Sequence, residues 1–423
     1  MMRLLHGLLL LGTALVLVVP GAYVAAPAIL SVAGVFLIRK AAEVTPITDP
    51  EIRASWKAML GGFAAFVLSG LLLNLHHGDF DPGAYERLFP FMLLPALVWT
   101  IRAGGWSALP WIASLGVASF LSGAYAFWEY LIDPTVRATG ATENAIKFGH
   151  SAALLAGLCV LAALFFPFST KSHLWRAALI LAALCGAQAS LLSGSKGGWP
   201  VLMAIVAVFF FVAIRRGRVR DRILIAVSTL GIVATVLAFA PTQLMRDRIL
   251  SGLDGAVHWF ESGGEVTEGS VSIRFELWSV GLQIFAENPI FGAGIEGKAT
   301  RWRELVSVGE KASTVGSLDT TSAHNDLIDT LSQGGLIGVV GHGLAFIGAW
   351  LAFWRLRAHS DPAIAALAKL GMFITLSFLV FGITVSVFWM SIFRSTFVAL
   401  NLVLLSLMSV QVFRREDMAK QRN

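Results

Sequence analysis

The chain has 423 residues, 56% hydrophobic and 14% charged, with a mean hydropathy of +0.74 and a formal net charge of +6. So little charge excludes a soluble globular enzyme of this size and a disordered chain, and the absence of long basic tracts gives no reason to expect a nucleic-acid partner. The apolar residues fall in runs of roughly 17–25, the length of a helix that crosses a bilayer core.

In lipid, a run of this kind satisfies its own backbone by becoming helical. The expected fold is therefore all-α: a polytopic bundle of about twelve transmembrane helices, centred near residues 12, 30, 66, 95, 114, 157, 185, 207, 232, 343, 377 and 402. The first run, MMRLLHGLLLLGTALVLVVPGAYVAA, has the make-up of a signal peptide. A second apolar run follows at once (Gly21 to Ile38), so the first reads as a retained span. Cys159 and Cys185 lie inside apolar runs and read as small core residues.

Placing the N-terminus in the cytoplasm and alternating the spans gathers most lysines and arginines on the inner side, with RRGRVRDR (Arg215–Arg222) as the strongest anchor. Most acids fall outside, in keeping with the positive-inside rule. The resulting organisation is spans one to nine over residues 1–240, a large outer loop over 241–323, three further spans over 324–413 and an inner tail over 414–423.

Three outer segments carry polar residues in chain order. WEYLIDPTVRATGATENAIKFGH (Trp128–His150) holds Arg137 and Asn144. SGSKGGW (Ser193–Trp199) sets Lys196 in a glycine turn. The loop over 241–323 is too long for a simple connection and holds Arg246 and Arg248. Its stretch SVSIRFELWSVGLQIFAENP predicts an amphipathic helix with Phe275, Trp278, Leu282 and Phe285 on one face, Ser272 as N-cap and Asn288-Pro289 as the stop. GAGIEG after it reads as a tight turn. Arg274 falls in the first turn of this helix, where the macrodipole disfavours a cation. That misfit points to an anion nearby, which Arg246, Arg248 and Lys196 would also attract; the arginine fork suits phosphate. Arg301 and Arg303 are further, weaker cation candidates.

TTSAHNDLIDTLSQGGLIGVV (Thr320–Val340) then puts His324, Asn325, Asp326 and Asp329 at the mouth of the tenth span. If the helix starts at or before His324, then Ile328, Leu331, Gly335 and Gly338 share its face. Small residues there let helices approach, turning the histidine into the bundle. A histidine that only caps the helix is the alternative. Asp326 and Asp329 lack the His/Cys spacing of a metal site, so neither a metal nor another cofactor is expected; they read as cavity lining or as orienters of the histidine or of the acceptor. A neutral histidine among cations suits one chemistry: a base takes a proton from an acceptor hydroxyl while cations steady a phosphate leaving group. A transporter that uses the polar mouth as a pathway is the alternative from another class. It calls for inverted repeats, and the sequence has no evident repeat.

Four short patterns in order resemble the O-antigen ligases, within the superfamily of O-antigen polymerases and bacterial protein O-oligosaccharyltransferases. They are His324-Asn325 with Gly335 and Gly338; Arg274 and Trp278 with Asn288-Pro289 and Gly292-x-Gly294; Arg137-x-x-Gly140 with Asn144 and Phe148-Gly149; and Ser193-x-Ser195-Lys196-Gly197. Lys196 stands where the family often has arginine, and Asp326 and Asp329 where it is often apolar or aromatic. The resemblance implies a glycosyltransferase C-like helical fold in the Gram-negative inner membrane, with both termini cytoplasmic and the active site facing the periplasm. It implies metal-independent, inverting transfer of a glycan from undecaprenyl pyrophosphate to a sugar hydroxyl of lipid A–core. His324 would activate that hydroxyl. Arg274 and Arg248 would hold the pyrophosphate, with Lys196, Arg246, Asn325 and Arg137 as further substrate-binding positions. A polymerase acting on the same lipid-linked glycan is the sister reading.

Overall fold

The computed structural model describes residues 1–44, 46–168, 172–216, 254, 257–259, 261–262, 270–307 and 322–422. Helices dominate, with no strand among the described residues. They are α1 (Met2–Ala14), α2 (Ala22–Val44), α3 (Pro50–His77), α4 (Pro82–Glu86), α5 (Phe89–Leu93), α6 (Leu97–Gly104), α7 (Ala108–Ile132), α8 (Ala145–Phe165), α9 (Ser172–Leu192), α10 (Trp199–Arg216), α11 (Ser270–Glu287), α12 (Gly294–Ser307), α13 (Asp326–Leu356), α14 (Pro362–Gly382) and α15 (Ser391–Arg422). Eight of these are long and apolar enough to cross a membrane, and three shorter apolar stretches, Met2–Ala14, Phe89–Gly104 and Lys196–Val208, accompany them. Eleven of the twelve expected spans thus coincide with apolar helices; the span near residue 232 lies outside the described residues. The tail expected over 414–423 continues α15 as helix through Arg422.

Local chemistry explains several helix ends. Asp49 caps α3 through its carboxylate, with Pro50 in the first turn, and Gly78 closes α3 in the left-handed conformation. Asp361 and Pro362 start α14 in the same way. Asn144 caps α8 by accepting from the Ile146 and Lys147 N–H groups. α8 is buried almost throughout, at the centre of the bundle.

α13 departs from expectation. Its 31 residues would measure about 46 Å as one rod. Yet Asp326 Oδ2 lies 2.6 Å from His342 Nε2, 16 residues on, a separation of about 24 Å in a straight helix. The backbone breaks at Gly335 (φ 56°, ψ −151°), a region that is essentially glycine-only. The chain reverses there, and a short arm, 326–334, folds back along a long arm, 336–356. A β-carbon on Gly338 would stand 3.4 Å from Thr330, another antiparallel pairing about the same tip. The expectation that Gly335 and Gly338 share a face with His324 is therefore corrected: Gly335 is the point of reversal. The helix begins at Asp326, so His324 lies outside it.

The long arm runs antiparallel along α3 through small residues. A β-carbon on Gly348 would meet Ala58 O at 2.5 Å and Gly62 Cα at 3.0 Å, the close approach that small residues allow between membrane helices. At the tip, the turn after α11 docks on the reversal. The Leu336 and Ile337 N–H groups donate to Pro289 O (2.9 Å) and Ile290 O (3.2 Å), and the Ala293 N–H donates to Ser332 O (3.0 Å). These bonds use groups that the broken helix would otherwise leave unpaired.

α11 ends at Glu287, before Asn288-Pro289 as expected, but it already includes Ser270, so Ser272 is not its cap. Its buried face is Leu277, Val280 and Ile284, joined with Trp302 and Leu305 of α12 into a satellite core. Leu282 is exposed, which corrects the predicted face. The turn after α11 is tighter than GAGIEG suggested: Gly292 and Gly294 have positive φ, and α12 starts at Gly294.

Candidate active site

The short arm sets the site. Asn325 caps it, its Oδ1 accepting from the Leu327 and Ile328 N–H groups, while its Nδ2 donates to Ile383 O just past the end of α14. The cap of this helix is thus Asn325, and His324 is left to protrude ahead of it. His324 has φ 49°, a left-handed conformation that costs a non-glycine residue roughly 1–3 kcal/mol and persists only where its surroundings enforce it. Those surroundings are visible on both sides. The Ser322 Oγ accepts from the His324 N–H (3.1 Å), and Trp278 Nε1 of α11 donates to Ala323 O (3.0 Å).

The Asp329 carboxylate anchors this loop from below. Oδ1 accepts from the Ala323 N–H (2.8 Å) and from Lys298 Nζ of α12; Oδ2 accepts from Ser322 Oγ (2.8 Å) and from Ser386 Oγ in the α14–α15 connection. Both Lys298 and Asp329 are buried. A buried ion pair recovers its desolvation cost only when its remaining positions are hydrogen-bonded, and on the carboxylate side they are. Asp326 turns elsewhere: besides His342, its Oδ1 accepts from the Phe388 N–H (3.3 Å). The two carboxylates serve separate hydrogen-bond networks.

Burial holds the His324 imidazole below its ordinary pKa of 6.5, the Arg274 and Lys298 cations add to the effect, and the Asp329 carboxylate opposes it. His324 is therefore neutral at pH 7. Its Nδ1 is buried and has no hydrogen-bond partner among the described residues. Burial likewise lowers the Arg274 pKa; an arginine gains from an anion that offsets such desolvation.

Of the predicted site residues, Arg274, His324 and Asn325 come together. Arg137 and Lys196 sit at a neighbouring cluster. Arg137 Nε donates to Ser193 O (2.7 Å), and the serine turn lies against α8 so closely that a β-carbon on Gly149 would meet Ser195 Cβ at 2.8 Å. Arg246 and Arg248 lie outside the described residues. Arg301 is engaged at the surface, its Nε and Nη2 reaching Glu287 at 2.8 Å each and its Nη1 reaching Glu304 at 3.2 Å, and Arg303 is exposed; neither joins the site.

Several residues escaped sequence reasoning. Lys298 carried a signal: it shares a helical face with Trp302 and Leu305, an odd place for a lysine unless it has a partner. Ser322 and Ser386 carried none. His150 was hidden in an apolar run. Buried in α8, it lies 3.0 Å from Ser195 Oγ and 3.3 Å from Thr384 Oγ1, and so links the Lys196 turn to the connection that holds Asp329.

Two spaces adjoin the short arm. A cavity of about 110 Å³ is lined by Asp326, Asp329, Gln333 and Arg87 beside apolar residues such as Leu73 and Phe388; Arg87 is stacked 3.4 Å over Trp389 and donates to Gln333 Oε1 at 2.6 Å. A wider apolar groove of about 620 Å³ starts at Asn325 and runs between the long arm and α14, past Leu327, Ile347, Leu376 and Leu379.

A helical bundle with eight helices long and apolar enough to cross a membrane defines a polytopic membrane protein, with a strained histidine, a half-buried arginine and a buried lysine gathered at one site. Residues 181–343 match the family model described as O-antigen ligase. The match covers His324, Arg274, Lys196 and the whole short arm. The chain is also similar to an uncharacterized protein of Haemophilus influenzae, 28% identical over 198 residues; the alignment spans 46% of this chain and 47% of that protein, about half the length of each.

Proposed function

We propose that the protein is an O-antigen ligase, transferring a glycan from undecaprenyl pyrophosphate to a sugar hydroxyl of lipid A–core at the periplasmic face of the inner membrane. The observation that carries the reading is His324, held in a left-handed conformation, kept neutral by burial and by Arg274 and Lys298. A neutral imidazole at that place is a base for an acceptor hydroxyl. As the hydroxyl proton moves to His324, the acceptor oxygen forms its bond to the anomeric carbon. The opposite carbon–oxygen bond breaks, with inversion, and its electron pair leaves on the lipid pyrophosphate. Arg274, and Arg248 from the outer loop, would stabilise that charge, with Lys196, Arg246, Arg137 and Asn325 as further contacts. The apolar groove beginning at Asn325 suits a lipid-borne substrate, because it brings a chain in the bilayer to the mouth of the site. No metal enters the mechanism.

The test is reconstitution with undecaprenyl-linked glycan and lipid A–core in the presence of EDTA. Glycan appears on lipid A–core, and the transfer is lost in His324→Ala. Lengthened lipid-linked glycan with unmodified core would establish the polymerase instead. Wild-type turnover in His324→Ala would refute the base, and loss of transfer with EDTA would refute metal independence.

A further inference from the structure

We infer that Asp329 is a positioning residue for His324, fixing the strained histidine loop against two separate parts of the protein at once. The inference rests on the reading of His324 as the base. Asp329 lies five residues beyond the histidine, one turn inside the short arm. Its carboxylate receives four donors from three places. The loop itself supplies Ser322 Oγ and the Ala323 N–H; α12 supplies Lys298; the α14–α15 connection supplies Ser386. Ser322 closes the circuit, because its Oγ both donates to Asp329 and accepts from the His324 N–H. A left-handed histidine needs such over-determination to persist. Residues 384–388 lie beyond the matched family region, yet Ser386 and the Phe388 N–H hold both carboxylates of the short arm.

The carboxylate suits this task better than its amide. All four groups donate to it, and the lysine and the backbone N–H cannot reverse that role. In Asp329→Asn the two serine hydroxyls can turn to accept, so the fold can be kept, but Lys298 loses its counter-charge. The effect should reach the imidazole as well. Among the described residues, the charged groups acting on His324 are Arg274 from α11, Lys298 from α12 and Asp329 from the short arm. Only Asp329 favours the protonated ring. Removing its charge lowers the pH at which His324 titrates.

The experiment uses the full chain in proteoliposomes with undecaprenyl-linked glycan and lipid A–core, comparing wild type, Asp329→Asn, Ser322→Ala and His324→Ala. Asp329→Asn is expected to lower kcat about 100-fold, as for a base displaced by about 1 Å, with the donor KM unchanged and the acid limb of the pH profile moved to lower pH. Ser322→Ala, which removes a neutral partner, lowers kcat without moving the limb. It carries the test if Asp329→Asn does not accumulate: wild-type kcat in Ser322→Ala would then overturn the inference. For Asp329→Asn, an unmoved limb, an unchanged kcat or a raised donor KM with intact kcat would each overturn it. Wild-type turnover in His324→Ala would remove the base and the inference together. Loss in His324→Ala beside a wild-type profile in Asp329→Asn would remove the inference alone.

Discussion

Gly335 and Gly338 occupy equivalent places in the sequence pattern, yet the structure assigns them unequal work, and alanine at each tests the difference. At Gly335 a β-carbon meets a glycine-only backbone, which costs roughly 1–3 kcal/mol in strain. It would also stand 2.5 Å from Ile290 C and O and 2.6 Å from Gly292 N, all backbone atoms. Ordinary contact begins near 3.4 Å, so the tip and the 289–292 turn must separate by about 1 Å, on the scale of packing distances. The two bonds from Leu336 and Ile337 then weaken, each worth about 1 kcal/mol. Gly335→Ala should therefore cost roughly 3–5 kcal/mol in docking of the short arm. Since His324 rides on that arm, transfer should fall about 100-fold. At Gly338 the β-carbon meets only Thr330 at 3.4 Å and Leu73 at 3.6 Å, and alanine improves helix propensity by about 1 kcal/mol. Gly338→Ala should leave transfer intact and the melting temperature equal or higher. The assay is reconstituted glycan transfer beside thermal unfolding followed by tryptophan fluorescence. Wild-type values for Gly335→Ala, or equal damage from both substitutions, would refute the reversal as the reason for the glycine.

Three further outcomes follow from the electrostatics of the site. The acid limb of wild-type transfer should lie below pH 6.5, because burial and the neighbouring cations lower the His324 pKa and protonation removes the base. Lys298→Met removes one of those cations and should move the limb to higher pH. It also leaves Asp329 buried without its counter-charge, a loss of about 3–5 kcal/mol that should appear as a lower melting temperature; a limb moving downward would refute the assignment. Arg274→Lys keeps the charge but loses the fork. Donor KM should rise about tenfold, the worth of one lost charge-assisted hydrogen bond, and wild-type turnover and KM would refute a bidentate contact.

Much of this was legible in the sequence because membrane helices announce themselves by composition. Apolar runs marked eleven helical positions that the structure describes, and the order of short polar patterns led to His324 and Arg274. The reversal within α13 was not legible. Hydropathy registers how apolar a run is, not which way it travels, and the Gly334-Gly335 pair was its sole local mark. The face of α11 was misassigned because apolar character alone could not separate an inward from an outward side chain: Leu282 is apolar and exposed, while Leu277, Val280 and Ile284 are buried. For Asp329 the sequence left cavity lining and an orienting role both open, because its partners come from residues 298, 322, 323 and 386, and no sequence spacing encodes that convergence.

The folded-back arm also works as a ruler. Residues 326–334 span about 13 Å at the ordinary helical rise, measured from the glycine tip back to the histidine. Because the tip is clamped to the turn at 289–292, the number of residues counted back from Gly335 brings His324 to the level at which Lys298 and Ser386 hold Asp329. Inserting or deleting one turn would shift the histidine by about 5 Å and carry the arm out of register with Lys298 and Ser386. Within this architecture, the level of His324 in the bundle is a matter of chain length as well as of the side chains around it.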